Sequence, residues 1–337
     1  MGKGLFTQGV VVLLSEAVAI DDIRNCLAGS YKTGKAAAGA QGWEFGGPSF
    51  LVEYRQGDNG YVAVDVVGRQ WPDHMGDPKA ESMLFGAWSM GHFGPYTFPH
   101  GLRRATEQAW RWKDASAAVQ RHSAFIRIRA SYIFGGVNKN APVMPPSYDP
   151  LGELAFVTEI AMQLLRLPPA ICYFNPNGEV LLPADELQRA LAFDKEHGLP
   201  AFDVWCNVRL FNLENDWILM DTVGNWQLDM VDHEAVFPKG QFMPQEVDHF
   251  LKNISLYIQQ KGPVIADGNT TNGPGNINWR AFSFDSGLSA PPRNVLRWYP
   301  DTVKNIPAAL LPQNTPSISG KPKAEREQVK KTWWKLW

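Results

Sequence analysis

Two stretches hold residue types that can do chemistry. In "DMVDHEAVF", His233 stands beside Asp229, Asp232 and Glu234, and a histidine among carboxylates can ligate a metal or act as a general base. No second histidine stands at helical metal spacing, His249 lying well downstream within a separate helix. The stretch reads as a hydrated acidic loop, and its charge suits a basic partner. In "PVIADGNTTNGPGNINWRAF", residues 263–282, the first test is calcium. Counted from Asp267, the sixth position of a calcium loop is Asn272 and the twelfth is Asn278, so the glycine and the bidentate glutamate are both missing. A phosphate loop fails as well, because Pro274 follows Gly273 where lysine is required. Ile265 occupies the place of a second phosphatase-type aspartate. Asp267-Gly268 and Asn272-Gly273 are left as turn dipeptides that permit left-handed backbone.

The rest of the chain offers catalysis no foothold. It has no nucleophile elbow, no paired-histidine zinc motif and no dinucleotide fingerprint. Cys26, Cys172 and Cys206 are far apart and form no CxxC, so neither a disulfide framework nor a zinc site is indicated. Cys206 lies in the apolar "VWCNV" and reads as a buried structural thiol rather than a nucleophile. No metal, cofactor or catalytic residue is expected.

The elements that would position these residues read as mixed α and β. A chain of 337 residues suggests two compact units, and 45% hydrophobic with 20% charged residues fits packed cores. "GVVVLL" (9–14) reads as a buried strand, followed by a short helix closed at Gly29. Two β-rich runs flank Gly57-Asp58-Asn59-Gly60, a hairpin signal. After a Gly/Pro-rich loop come a helix over 101–122 and a strand from Ser123. This βαββαβ order then repeats: a bridging helix near 152–166, the strand "AICYFNP", a helix over 182–198, the hairpin "FDVWCNVRLFNL" with "DWILMDTVGNW", a helix from Met243 to Gly262, and the strand "NINWRAFSF". In that last helix Pro244 suits the first turn, Glu246 and Asp248 the positive end of the dipole, and Val247, Phe250, Leu251, Ile254 and Ile258 a core face. The expected fold is α+β, two tandem ferredoxin-like units with antiparallel sheets and helices on one face of each. The boundaries are 1–150 for the N-terminal unit, 151–312 for the C-terminal unit and 313–337 for a basic, Trp-containing tail.

Charge divides the same way. From Gln313 the tail carries six Lys/Arg against two Glu, a surplus of +4; with −2 overall, residues 1–312 hold −6. A mildly acidic body argues against direct nucleic-acid binding and suits a basic protein partner. No apolar run approaches the roughly 18 residues of a membrane span, and "MGKGLF" lacks the features of an export signal; a cytoplasmic protein is expected. Of thirteen tryptophans, Trp217, Trp226, Trp333, Trp334 and Trp337 stand in turn-like or tail contexts and are candidates for protein contacts. The tail's three tryptophans read as docking on the body in preference to a membrane surface.

"VRLFN" (208–212), "MDTVG" (220–224), "VIADGNTTNG" (264–273), Trp279 and "LSAPPRNVLRWYP" (288–300), in that order, resemble the type VI secretion immunity family TsiV. The match is good over about residues 200–300 and loose before them. After the Asp221-Thr222-Val223-Gly224 turn the family continues with small or aliphatic residues, whereas Asn225-Trp226 follow here. The resemblance implies a non-catalytic protein that binds a toxin delivered by the type VI apparatus, similar to a VRR-Nuc endonuclease of the PD-(D/E)XK kind. Such a toxin carries a basic DNA-binding surface, onto which an acidic inhibitor is steered. The expected contacts are Glu214, Asp216 and Trp217 in the hairpin turn and Trp226, Asp229, Asp232 and Glu234 after it. Asp221, Gly224, Asp267, Gly268 and Arg293 are assigned to fold maintenance. An adaptor that loads an effector onto the secretion machinery, and an enzyme of unrecognised type built around His233, stay open as alternatives; so does the oligomeric state.

Overall fold

"GVVVLL" has no polar face, and a strand of that kind must be covered on both sides. The computed structural model, which describes residues 3–40, 42–134 and 143–311, puts it at the centre of a sheet. In chain order the elements are β1 (Gln8–Leu14), α1 (Ile20–Ala28), β2 (Ser49–Glu53), β3 (Tyr61–Val67), α2 (Ser82–Ser89), α3 (Gly101–Glu107), α4 (Ala115–Gln120), β4 (Ala124–Ser131), α5 (Pro150–Leu164), β5 (Ala170–Asn175) and β6 (Val180–Leu182). Then follow α6 (Ala184–His197), α7 (Phe202–Trp205), β7 (Asn207–Asn212), β8 (Trp217–Val223), β9 (Asp232–Pro238), α8 (Pro244–Lys261), β10 (Thr270–Gly273), β11 (Ile277–Phe284) and β12 (Val295–Pro300). The tail at 313–337, with Trp333, Trp334 and Trp337, lies outside the described residues.

The class is α+β with two six-stranded, largely antiparallel sheets, ordered β2-β3-β4-β1-β5-β6 and β10-β11-β12-β9-β8-β7. Only β9 and β12 pair in parallel among the described strands; α8, β10 and β11 make the crossover between them, as parallel neighbours require. The order differs from the ferredoxin-like expectation. In a βαββαβ unit the first strand sits between the third and fourth, whereas here β4 separates β1 from β3 and β5 closes on the other side of β1. The first sheet therefore runs to Leu182, beyond the boundary expected at 150.

Both faces of the first sheet are covered. Val10, Val12 and Leu14 pack with Ile23 and Leu27 of α1 and with Leu154, Val157 and Ile160 of α5. Val11 and Leu13 point the other way, onto Leu84 and Trp88 of α2 and Leu102 of α3. The first of these cores continues through Phe202 and Trp205 of α7 into Ile218, Met220, Phe237 and the buried face of α8. The two sheets thus share this core, while each has a separate apolar cluster on its other face.

Local sequence accounts for several element ends. At the β2–β3 turn Asn59 is left-handed (φ 62°) and its side chain donates to the Tyr132 carbonyl at 2.7 Å, which is what its turn tetrapeptide predicts. Asp149 caps α5 by accepting from Gly152 N–H at 3.1 Å, with Pro150 at the first helical position. The helix expected over 101–122 is instead two, α3 and α4. At the break the Gln108 side chain pairs with the backbone of Leu210, donating to its carbonyl (3.3 Å) and accepting from its N–H (3.2 Å).

Candidate functional site

Of the stretch read from sequence as a hydrated acidic loop, residues 232–237 lie in the buried strand β9, paired to β8 on one side and β12 on the other, and Asp229 stays outside it. Strand alternation sends Glu234 to one face and His233, Ala235 and Phe237 to the other. Charge on a buried strand must be paired, and it is. The Arg209 guanidinium grips Asp221 through two parallel bonds of 2.9 and 2.6 Å and reaches Glu179 at 2.8 Å. Glu179 also accepts from Arg104 at 2.7 Å. Arg293 contacts Asp221 at 2.6 Å and Asp232 at 3.2 Å, and the Ser289 hydroxyl donates to Asp221. Beside them Arg297 binds Glu234 at 2.7 Å, with its guanidinium 3.8 Å from the centre of the Phe284 ring. Four carboxylates thus face four guanidiniums, a neutral assembly that crosses from α3 and the β5–β6 turn into the second sheet.

The titration behaviour follows from this environment. Burial alone would raise the Asp221 carboxyl, but Arg209 and Arg293 overcome it and hold the group below its ordinary range. Asp232, with one guanidinium, is pushed up by burial to about 6 against the pull of Arg293. Burial raises Glu234 too, against Arg297. Each of these carboxylates is ion-paired with an arginine, Asp221 and Asp232 sharing Arg293. Among the described residues, no three histidine, cysteine or carboxylate side chains converge as metal ligands.

His233 has no such partner. It is fully buried, both ring nitrogens lack a hydrogen bond, and burial lowers its pKa from 6.5 to about 3. The imidazole is neutral in the folded chain, while the unfolded chain protonates it below 6.5. The stability that depends on a neutral His233 is therefore complete above pH 6.5 and is lost as pH falls toward 3. Between pH 7 and pH 5 this loss amounts to about 2 kcal/mol. In His233→Leu the drop in urea-unfolding free energy between those two pH values is expected to be smaller than in the parent by that amount; equal drops would refute the assignment.

The expected contact residues do not form one surface. Glu214 and Asp216 are exposed at the β7–β8 turn, but Trp217 is 7% exposed and packs with Leu219, Val236 and Tyr299. Trp226 and Asp229 lie past the other end of β8, about 20 Å away along a seven-residue strand. There they meet the N-terminal half: Trp226 packs edge-on against Tyr96, and Asp229 pairs at 3.0 Å with Lys3, which also donates to the Gln227 carbonyl at 2.9 Å. Asp229 neutralises a buried lysine, and Asp232 and Glu234 are 1% and 0% exposed. Trp217, Asp232 and Glu234 thus belong to the interior, and the Asn225-Trp226 departure lies at a junction inside the molecule. Cys172 and Cys206 are buried thiols whose pKa burial raises.

The second stretch borders a groove of about 840 Å³ between α8 and β10. Glu246, His249, Asn253 and Tyr257 recur at helical spacing along its α8 wall, and Val264 with residues 268–274 forms the other wall. Phe250, Ile254, Ile265 and Trp298 lie between them. Asp267 accepts from Ser283 N–H at 2.7 Å and Gly268 is left-handed at φ 83°, in line with turn chemistry. Gly273 is not left-handed; it ends β10, where a Cβ would stand 2.6 Å from the Trp279 ring and 3.0 Å from Phe250. Close packing, not turn geometry, requires that glycine. The sequence hides the groove because "NTTNG" lacks the apolar, β-branched alternation of a strand; the polar stripe opposite the core face of α8 is the available signal.

No curated protein and no solved structure matches the chain. Residues 221–299, which carry Asp221, Asp232, Glu234, Arg293 and Arg297 together with α8 and β10, match the family described as a domain of unknown function, DUF4261.

Proposed function

We propose that the protein is an immunity protein: it binds a type VI secretion toxin, a VRR-Nuc-like DNA endonuclease, in the cytoplasm and covers its substrate-binding surface without catalysing a reaction. The observation that carries this reading is the fate of the charged residues shared with the immunity-family pattern. Asp221 and Arg293 are bound to each other inside the scaffold, with Asp232 attached to the same arginine. Chemistry at a substrate needs acids and bases that can reach it; these brace a framework that displays turns and a groove. The acidic excess of residues 1–312 suits approach to a DNA-binding surface, which speeds encounter and discriminates among partners. A stable complex of this kind buries on the order of 1,600 Å².

Co-expression tests the reading. Cells producing a cognate VRR-Nuc-like nuclease domain, to be sought among the products of adjacent genes, are expected to survive when this protein is present and to die without it, and the protein is expected to give no protection against an unrelated nuclease. Protection against both, or against neither, would end the proposal. The β7–β8 turn supplies a second measurement. Glu214→Lys combined with Asp216→Asn removes exposed acidity while keeping a residue that tolerates the left-handed backbone of position 216 (φ 56°). Association should slow by about tenfold at low salt, with stability changed by no more than about 0.5 kcal/mol. An unchanged association rate would remove this turn from the encounter surface.

A further inference from the structure

β10 is the last strand of its sheet, and beyond it no strand is paired among the described residues. In the β10–β11 ladder Thr271 faces Trp279 and Gly273 faces Ile277. The Asn278 carbonyl is turned to the other side, where it accepts from Asp301 N–H at 2.8 Å. By the alternation of an antiparallel pair, the N–H and C=O groups of Thr270 and Asn272 then point away from β11. These two residues line the groove beside α8. A short row of open backbone donors and acceptors facing a helix is matched by one kind of ligand, an extended polypeptide that pairs with the edge.

The charge of the walls narrows the occupant. Among the described residues the lining includes one carboxylate, Glu246, and no lysine or arginine, so a segment with basic side chains is accepted and an acidic one is not.

We propose that the groove between α8 and β10 is the docking slot for an extended, basic segment of the toxin, which joins the second sheet as a further strand beside β10. The identity of the partner rests on the immunity reading; the slot itself rests on the open edge of β10 and the charge of the walls. Asn253 is exposed on the α8 wall, and Asn253→Trp places a large ring in the slot without touching the core.

Two arms test the proposal on the full chain. In the first, displayed random short peptides are selected on the parent protein and the recovered sequences are synthesised. The expected peptides are rich in Lys and Arg, slow amide exchange at Thr270 and Asn272, and bind Asn253→Trp at least about tenfold more weakly. In the second, the VRR-Nuc-like nuclease domain that the co-expression test pairs with this protein is the ligand, with the same exchange and the same variant as readouts. If the nuclease binds and is neutralised while both amides exchange as before and Asn253→Trp binds equally well, the slot is refuted and the immunity reading stands. If the nuclease does not bind but the selected peptides behave as described, the slot stands and the immunity reading fails. If no selected peptide is sensitive to Asn253→Trp and the nuclease leaves the two amides unaltered, the slot is refuted.

Discussion

Asp221→Ala is expected to cost about 3–5 kcal/mol of folding stability, the amount typical of removing one partner from a buried ion pair. The reason lies in what is left behind. Asp221 takes two bonds from Arg209 and one from Arg293, all at side chains no more than 2% exposed. Without it, Glu179 is the one carboxylate left to Arg209 and Asp232 the one left to Arg293, and a surplus positive charge stays in a dry interior. Asn is a smaller remedy than its shape suggests, because it restores volume but not charge. Urea denaturation checks the expectation, with Asp301→Ala as the comparison. Asp301 makes an ion pair with Arg280 as well, but with both side chains about one-third exposed, and a pair of that kind contributes about 0–1 kcal/mol. Equal losses at the two positions would show that burial of the network has no energetic weight.

Gly178→Ala is expected to be as damaging, by a steric route. Gly178 sits in the β5–β6 turn, and a Cβ there would stand 1.8 Å from the Trp205 carbonyl oxygen and 2.8 Å from its carbon. Both atoms are backbone, so no side chain can rotate aside. Its neighbours are fixed too: Asn175 accepts from the Gly178 N–H at 3.1 Å and donates to Gln227 at 3.0 Å, and Gln227 donates to the Trp205 carbonyl at 2.6 Å. The methyl would separate the first sheet from α7 and the turn after β8, at a cost of about 4 kcal/mol or more. Gly57→Ala, where nothing lies within 4 Å, should stay within about 0.5 kcal/mol of the parent. Thermal unfolding of the two variants decides the matter, and a Gly178→Ala midpoint close to that of Gly57→Ala would show that the turn can yield.

Where periodicity is strong, local sequence carries the answer. The core face of α8, from Val247 to Ile258, and its limits at Pro244 and Gly262 follow from spacing and capping alone. The β2–β3 and β7–β8 hairpins follow from turn residues between β-rich runs. Strand order is beyond its reach, because β1 pairs with β4 and β5 through contacts that no local pattern encodes. β9 defeats a local reading for a specific reason. "DHEA" has the composition of a solvated turn, and only partners distant in sequence, Arg293 and Arg297, make its carboxylates tolerable inside. The same holds for Trp217, which a turn setting marks as exposed and which Tyr299 and Val236 enclose. The acids most visible in sequence hold the scaffold, while the groove residues Asn253 and Thr270 draw no notice because neither is ionisable, and Asn272 reads only as half of a turn dipeptide.

The central place of β1 has a temporal side. Its apolar run leaves the ribosome well before its outer neighbour β5, which begins about 160 residues later. At about 5–20 residues per second of synthesis, that delay is roughly ten to thirty seconds. A newly made chain therefore holds one edge of β1 without its strand partner for that interval, with its backbone groups open to pairing with other unpaired strands.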